Sequence, residues 1–481
     1  MNQTPYEHLR PTQAWDRPLA LSAMDTMFWR TDPQPGMRFN LLAVELLDHA
    51  PDWHRLVARH EQLSHTVARL RLRINEPPLR LGRYRLGVDS SFDIHRHLRR
   101  IQLPAPGTVR QLLDFAQSWV TSPFDPHRPL WEAMVVEGLH DNQAAYLFKV
   151  HHSIVDGLGA AQIMFTLHDT TAEPGPITPP PPATAPDHGP PFARLYGWLR
   201  QRRNRIPRSE TTAPPRHRAP SWRAIATGLR AVARATVLPA ATSSSLLAHR
   251  DGYPRMELFE IPLNRLKKAG RAADGSLNDI YLAILAGAFD RYHQTHGQSL
   301  RSVPAMVPIS TRRPDSAPGG NHVTIAKLAL PAAGHGPAER VAIIRRTVTD
   351  LRAGPTTRAE DLLARVLTLL PVSVTRCAAT LIFRGNDLTA SNFPGSPTEV
   401  YLAGTKVIAF HPFLPLLRSA VTTVMTSYQD KLQVGINLDT AAIPQPEVFM
   451  KCLRDSLSEA LDLRPTHLTP TTQSPDDTAH E

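Results

Sequence analysis

The chain has 481 residues, 42% of them apolar, and a formal net charge of +11. Its length exceeds that of one usual hydrophobic core, so we expect two subdomains. The apolar content excludes general disorder, and no window of 18 uninterrupted apolar residues predicts a spanning helix. The two cysteines, Cys377 and Cys452, have no metal-ligand spacing and give no sign of an oxidising compartment. We expect no metal and a cytoplasmic location, with peripheral attachment at the inner membrane face or at lipid inclusions as an alternative.

The first 172 residues mix the hydrophobic period of strands with that of helices. Predicted strands cover Phe39–Leu47, Thr66–Ile74, Trp131–Gly138 and Ala144–Val150. Predicted helices cover Asp52–Gln62, Val109–Thr121 and Leu158–His168. Because strands and helices mix without regular β-α-β alternation, the pattern favours an α+β fold over a doubly wound sheet. We therefore assign residues 1–172 to an N-terminal subdomain.

Residues 173–252 read as a linker that is first rich in proline and then rich in arginine. Four successive prolines, Pro179 to Pro182, are typical of an extended polyproline segment. Residues 194–234 carry 11 arginines against the single acid Glu210, interleaved with tryptophan and tyrosine. That mixture suits an anionic membrane or lipid-inclusion surface, and a solvated linker is the open alternative. Nucleic acid is a rival partner that we do not expect, because no nucleic-acid-binding motif accompanies the charge.

The mixture of elements resumes in a C-terminal subdomain over residues 253–465, which a disordered tail over 466–481 follows. Predicted strands cover Met256–Ile261, Val303–Ile309, His322–Leu330, Val400–Phe410, Ala420–Tyr428 and Lys431–Leu438. Predicted helices cover Leu277–His293, Gly336–Leu351, Glu360–Leu369 and Pro446–Leu461.

The most informative stretch is the motif His151-His152-Ser153-Ile154-Val155-Asp156-Gly157. It lies between a predicted strand and a predicted helix, where loops commonly carry functional residues. Histidine is the side chain whose ordinary pKa suits proton transfer near neutral pH. The Asp-Gly pair also suits a plain turn, in which Asp156 caps the helix that follows.

The chain resembles the bacterial wax ester synthase/diacylglycerol O-acyltransferase family from residue 21 to about residue 449. The order and spacing of several blocks carry the resemblance more strongly than any one of them. These blocks are Leu21–Trp29, Pro129–Glu132, His151–Gly157, Asn278–Asp279, Val307–Ser310, Ser391–Gly395, Tyr401–Gly404 and Ser427–Tyr428. The resemblance implies two chloramphenicol-acetyltransferase-like halves with the active site in a tunnel between them.

The resemblance also implies acyl transfer from acyl-CoA to a lipid alcohol, which is diacylglycerol or a fatty alcohol. In the family motif His152 is the base, and we expect His151 to be packed or hydrogen-bonded beside it. Asp156 either orients His152 or turns away to pair with an arginine and brace the loop, and we favour the second role. No cofactor is expected, since acyl-CoA is a substrate, and the absence of Gly-x-Ser-x-Gly favours direct transfer over a covalent acyl-enzyme.

The remaining blocks each allow a functional and a structural role. Asn278, beside Asp279, is either an oxyanion donor or a helix N-cap. Pro129, Leu130 and Trp131 line a tunnel wall or, as we favour, pack in the core. The run Ser391, Asn392, Phe393, Pro394, Gly395 has turn chemistry, and Asn392 is a candidate for a hydrogen bond between the halves. Gly157 completes the motif.

Two stretches depart from the family pattern, Pro35–Asn40 and Leu416–Ala420. Both are expected near surface that faces substrate, so they affect which acceptor alcohol is used rather than which reaction takes place.

Two other functions stay open. One is a related acyltransferase with a polyketide, peptide or glycolipid acceptor, because condensation domains share His-His-x-x-x-Asp-Gly. The other is a non-catalytic lipid-surface protein, against which the intact histidine pair argues.

Overall fold

A computed structural model describes residues 21–173, 241–310, 323–353 and 367–463, apart from the single residues 35, 81, 83 and 369. The basic run 194–234, the predicted tail and most of the helix predicted over Glu360–Leu369 lie outside these ranges. Among the described residues, no helix is long and apolar enough to cross a membrane.

The described chain mixes helices and strands throughout. The helices are α1 (Ala23–Thr31), α2 (Trp53–Thr66), α3 (Val109–Thr121), α4 (Gly157–Leu167), α5 (Leu263–Ala272), α6 (Leu277–Thr295), α7 (Pro337–Ala353), α8 (Val372–Phe383) and α9 (Pro446–Leu461). The strands are β1 (Asn40–Leu47), β2 (Leu72–Asn75), β3 (Arg85–Val88), β4 (Leu98–Gln102), β5 (Trp131–Glu137), β6 (Ala144–His151), β7 (His168–Asp169), β8 (Pro254–Pro262), β9 (Ser302–Ser310), β10 (Val323–Pro331), β11 (Leu388–Phe393), β12 (Tyr401–Leu402), β13 (Thr405–Phe413), β14 (Val421–Tyr428) and β15 (Lys431–Asp439).

Two large sheets define two lobes. The first sheet has the strand order β4-β5-β6-β1-β13-β12-β7, with α2 and α4 on one face and α3 on the other. The second has the order β10-β9-β11-β14-β15-β8 and packs against α5, α6, α7 and α9. Helix α6 is buried on nearly all sides from Ile280 to His293, which explains its almost continuous apolar sequence.

The chain crosses between the lobes after the second sheet has begun. Strand β13 lies antiparallel to β1 in the first sheet, with Leu42 opposite Phe413. Residues 401–413 therefore belong to the first lobe, although they follow residue 253, where we placed the start of the C-terminal subdomain. Sequence pattern does not reveal such a crossing because a strand reads the same in either sheet.

A separate apolar cluster joins the two lobes. From the first lobe, Phe28 on α1 and Phe39 before β1 enter it, and their rings stack at 4.5 Å between centroids. From the second lobe, Met306 on β9 and Phe383 on α8 complete it. This cluster holds the loop that precedes β1 against both lobes.

The predicted strands and helices in the described ranges are largely confirmed, with two corrections. The strand predicted over Thr66–Ile74 is wrong in its first half: α2 runs to Thr66 and a 3-10 turn covers Ala68–Arg71 before β2. Val67 and Leu70 are both buried at a spacing of three, which suits a helical turn. The strand predicted over Val400–Phe410 is divided by a hairpin turn, because Ala403 and Gly404 have φ of 50° and 93°.

Candidate active site

The histidine motif lies where the sequence predicted it, between the end of β6 and the start of α4. Strand β6 ends at His151, and the backbone N–H of His152 donates to the carbonyl of Phe39 at 2.8 Å. Asp156 caps α4, since its Oδ1 accepts from the N–H of Gly159 at 2.7 Å. The motif is therefore tied to a central strand, to the α1–β1 loop and to a helix.

His151 is buried and hydrogen-bonded through both ring nitrogens. Its Nδ1 accepts from the N–H of Ser153 at 3.1 Å and contacts the Ser153 hydroxyl at 2.6 Å. Because Nδ1 accepts a hydrogen bond, Nε2 carries the proton, and it donates to Asp32 Oδ1 at 3.1 Å. His151 is thus a fixed ring with no nitrogen free for proton transfer.

Asp32 anchors this arrangement. Its carboxylate also accepts from the N–H of Phe39 and from Arg38, each at 2.9 Å. Burial alone would raise the pKa of Asp32, but the hydrogen bonds from His151 and from the Phe39 N–H, together with the nearby Arg38 charge, outweigh it and lower that pKa. The carboxylate is therefore ionised and holds the α1–β1 loop to the motif.

His152 has the opposite environment. It is partly exposed, and its ring lies edge-on to Phe28 with 4.8 Å between centroids. Its Nδ1 is buried and interacts with the peptide of His152 itself, and no other described residue gives it a hydrogen bond. Nε2 is then the ring nitrogen left on the partly exposed side. The structure thereby distinguishes a histidine held through both ring nitrogens from one that is not held in this way.

Asp156 braces its loop by capping α4, and it forms no ion pair with an arginine among the described residues. Arg69 instead donates to the carbonyl of Ile154 at 2.9 Å, in the same loop. Two side chains, Asp156 and Arg69, therefore hold the loop. The predicted pairing of Asp156 with an arginine is not found among the described residues.

Asn278 is not the helix N-cap that we considered. Ser276 caps α6 and forms a capping box with Asp279. Asn278 Oδ1 instead accepts from Asn392 Nδ2 at 2.7 Å, which joins α6 to β11 within the second lobe. The predicted hydrogen bond of Asn392 is real, but it does not link the two lobes. No hydrogen bond of the described residues joins Asn278 to the histidine pair.

Leu130 and Trp131 are core residues, as we favoured. Both are 0% exposed, and the indole N–H of Trp131 donates to the carbonyl of Leu70 at 2.7 Å. The carbonyl of Leu130 accepts from the N–H of His151 at 3.0 Å, so the block that begins at Pro129 supports the motif strand from the adjacent strand.

The block from Ser391 to Gly395 is a strand end followed by a close backbone crossing. Ser391 and Asn392 lie in β11, and the strand ends before Pro394. A Cβ at Gly395 would lie 1.9 Å from the carbonyl oxygen of Ser427, so only glycine fits. Ser391 and Gly157 line the same small apolar cavity of about 50 Å³ between the lobes. The block from Ser391 to Gly395 and the histidine motif thus each contribute a residue to the wall of this cavity.

Two larger cavities lie beside the Arg38–Asp32 pair. The arginine-lined cavity, of about 740 Å³, borders His151 and has in its wall Trp29, Asp32, Arg38, Arg73, Arg80 and Phe124 among others. The interlobe cavity, of about 310 Å³, is lined from both lobes by residues that include Gly36, Arg38, Asn40, Gly252, Leu416 and Asn437. Arg38 lines both cavities and so forms part of the wall between them.

Sequence reasoning missed Asp32, Phe28 and Arg69. Asp32 is 119 positions from His151, and no local spacing relates the two residues. One usable sequence signal existed. Ser22 and Asp25 form a capping box that marks the start of α1, and Asp32 is the C-cap of the same helix.

Comparisons with known proteins agree along the chain. The model of the wax ester synthase/diacylglycerol acyltransferase catalytic domain matches residues 21–281, and that of the corresponding C-terminal domain matches residues 319–460. A protein of Mycobacterium tuberculosis that carries diacylglycerol O-acyltransferase in its name is 33% identical over 456 residues, which are 92% of each chain. An Acinetobacter baylyi protein named O-acyltransferase WSD is 27% identical and covers 77% of this chain and 81% of its own length.

Solved structures show the same fold. The wax ester synthase/diacylglycerol acyltransferase of Marinobacter aquaeolei superposes with a TM-score of 0.62 at 21% identity, over 92% of this chain and 98% of that one. The first condensation domain of the calcium-dependent antibiotic synthetase gives 0.57 at 15% identity, over 92% and 96%. The predicted α+β fold of two related halves is confirmed.

Proposed function

Because the chain belongs to the wax ester synthase/diacylglycerol acyltransferase family, we propose that it moves the acyl group of an acyl-CoA to the hydroxyl of a lipid alcohol, with His152 as general base. The observation that supports this proposal is the difference between the environments of the two histidines. Both ring nitrogens of His151 are engaged, whereas His152 has a buried Nδ1 and a partly exposed ring at the lobe junction.

The proposed reaction needs one proton acceptor. Neutral Nε2 of His152 takes the proton of the acceptor hydroxyl as its oxygen attacks the thioester carbonyl. The tetrahedral intermediate collapses with cleavage of the carbon–sulfur bond, and the thiolate receives the proton from His152. The products are an ester and free coenzyme A, and the base is regenerated.

Direct transfer fits the site better than an acyl-enzyme does. The serine of the motif, Ser153, is 0% exposed, and its hydroxyl is hydrogen-bonded to His151. A nucleophile must reach the thioester carbon, and this hydroxyl is closed off from substrate. We therefore propose that donor and acceptor are bound together when the acyl group moves.

The arginine-lined cavity suits the phosphate-bearing end of the donor. It borders His151, and Arg38, Arg73 and Arg80 line it together with the carboxylates Asp32 and Glu76. Arginine is well suited to phosphate because its planar group offers several N–H donors. Nε of Arg73 is buried without a hydrogen-bond partner among the described residues.

A membrane or lipid-inclusion contact through residues 194–234 stays a prediction, since that run lies outside the described ranges.

The pH dependence should report the environment of His152. Burial lowers the pKa of His152 from its ordinary value of 6.5, and its own peptide and the Asp156 carboxylate only partly offset this effect. The base is active when neutral, so kcat/KM should rise with pH through this lowered pKa and be level by about pH 6.5. The pH profile of kcat/KM checks this, and a half-maximal rate above that pH would contradict it.

An acceptor panel tests the function. We expect the purified protein to release coenzyme A from palmitoyl-CoA when diacylglycerol or hexadecan-1-ol is present, and mass spectrometry to find the matching ester. Failure with lipid alcohols but turnover with a peptide, polyketide or glycolipid acceptor would favour the specialised acyltransferase. Absence of turnover with every acceptor would favour the non-catalytic lipid-surface protein.

A further inference from the structure

The interlobe cavity is the place where both departures from the family pattern meet. Gly36, Arg38 and Asn40 line it from the stretch Pro35–Asn40, and Leu416 lines it from the stretch Leu416–Ala420. The two lobes touch at its rim, where a Cβ on Gly252 would lie 2.9 Å from Cα of Gly36. Both stretches therefore contribute residues to the wall of one cavity.

Two buried asparagines in the cavity wall have an unused acceptor. Asn40, 2% exposed, donates through Nδ2 to the carbonyls of Val120 and Ser122, at 2.7 and 3.2 Å. Asn437, 4% exposed, donates through Nδ2 to the carbonyl of Leu414 at 2.7 Å. Because carbonyls accept from these amides, the placement of nitrogen and oxygen is fixed in both. Each Oδ1 is buried, and no described residue gives it a hydrogen bond.

A buried amide oxygen without a donor is costly, so a donor is expected at each of these atoms. The two amides flank one cavity, which suggests that its occupant supplies donors from the same side. The cavity also adjoins the motif: Asn40 is directly opposite His151 in the β1–β6 pairing. Arg38, which also lines the cavity, is held by Asp32, the carboxylate that also binds His151.

We propose that the interlobe cavity receives the polar head of the acceptor, and that the preferred acceptor is a lipid with a second hydroxyl beside the one acylated. The proposal rests on the proposed function and adds a substrate class to it. The second hydroxyl donates to an asparagine oxygen, while Phe413, Leu414 and Leu416 contact the adjoining carbons. A simple long-chain alcohol leaves the asparagine oxygens unpaired.

The test compares hexadecan-1-ol with hexadecane-1,2-diol, which differ by one hydroxyl, at saturating palmitoyl-CoA. For the parent protein we expect kcat/KM for the diol to exceed that for the alcohol by about tenfold, the upper end of what one net neutral hydrogen bond contributes. Asn437→Leu should reduce this ratio to near one, mainly by lowering kcat/KM for the diol.

Asn386→Leu is the matched control. Asn386 is likewise buried, donates through Nδ2 to a carbonyl and has an Oδ1 without a partner among the described residues, but it lines none of these three cavities. This variant should keep the parent ratio. If Asn437→Leu does not fold, Asn437→Ala carries the same expectation.

Three results would overturn the proposal. A parent ratio near one, or a ratio that survives the loss of the Asn437 amide, would show that the asparagines do not contact the acceptor, and the proposed function would stand. Failure to acylate either alcohol or any glycerolipid would overturn both this proposal and the proposed function.

Discussion

Replacing His152 with alanine should lower kcat for ester formation by about 10²–10⁴-fold, the range that a positioned general base contributes. The physical reason is that His152 Nε2 is the available imidazole nitrogen of the motif, whereas both nitrogens of His151 are hydrogen-bonded. The measurement is the initial rate of coenzyme A release at saturating acyl-CoA and acceptor. The thermal unfolding midpoint should stay close to that of the parent, because the His152 ring is partly exposed and its Nδ1 has no hydrogen bond from another described residue.

An exposed histidine provides the control for this variant. His95→Ala removes an exposed imidazole of the 3-10 turn Ile94–Arg96, outside the motif, and should leave kcat unchanged. The pH dependence attributed to His152 should also disappear from the residual activity of His152→Ala. If His152→Ala retained more than a tenth of parent kcat, His152 would not be the base, and a nitrogen of His151 would have to be released from its present partners.

Replacing Trp131 with alanine should lower the free energy of unfolding by about 3–5 kcal/mol, as for other fully buried tryptophans. Trp131 is 0% exposed and stacks on His97 with 4.8 Å between ring centroids. The substitution opens a cavity in the first lobe and removes the donor to the Leu70 carbonyl. Urea unfolding near neutral pH measures the loss.

Trp131→Phe separates packing from hydrogen bonding. It keeps an apolar ring but leaves the carbonyl of Leu70 without its donor, so we expect a smaller loss of about 1–3 kcal/mol. Both variants should keep the KM for acyl-CoA in the folded fraction, because Trp131 lines none of the cavities. A variant whose KM for acyl-CoA is raised while its stability equals that of the parent would instead support a role of Trp131 in the tunnel wall.

The elements around the motif could be predicted because their signals are local. The aromatic and β-branched run of β6 and the Asp-Gly pair at the start of α4 each specify their conformation over a few residues. The same is true of β14, β15 and α9, whose observed ends lie within a residue of those predicted. Local patterns therefore located His151, His152 and Asp156 correctly on the fold.

Contacts between distant segments could not be predicted. Nothing in the local sequence shows that Asp32 binds His151, or that β13 leaves the second sheet to pair with β1. Asn278 is a different case: its residue type suits an N-cap, but Ser276 two positions earlier takes that role with Asp279. That Ser-x-x-Asp capping box is a local pattern that could have been read from the sequence.

Direct acyl transfer at this site can be tested by the stoichiometry of the parent protein with palmitoyl-CoA, measured with and without a lipid alcohol. Direct transfer predicts one coenzyme A released for each ester formed when the alcohol is present, and no release when it is absent. Release without the alcohol, with free palmitate or an acylated protein as the product, would contradict direct transfer at this site.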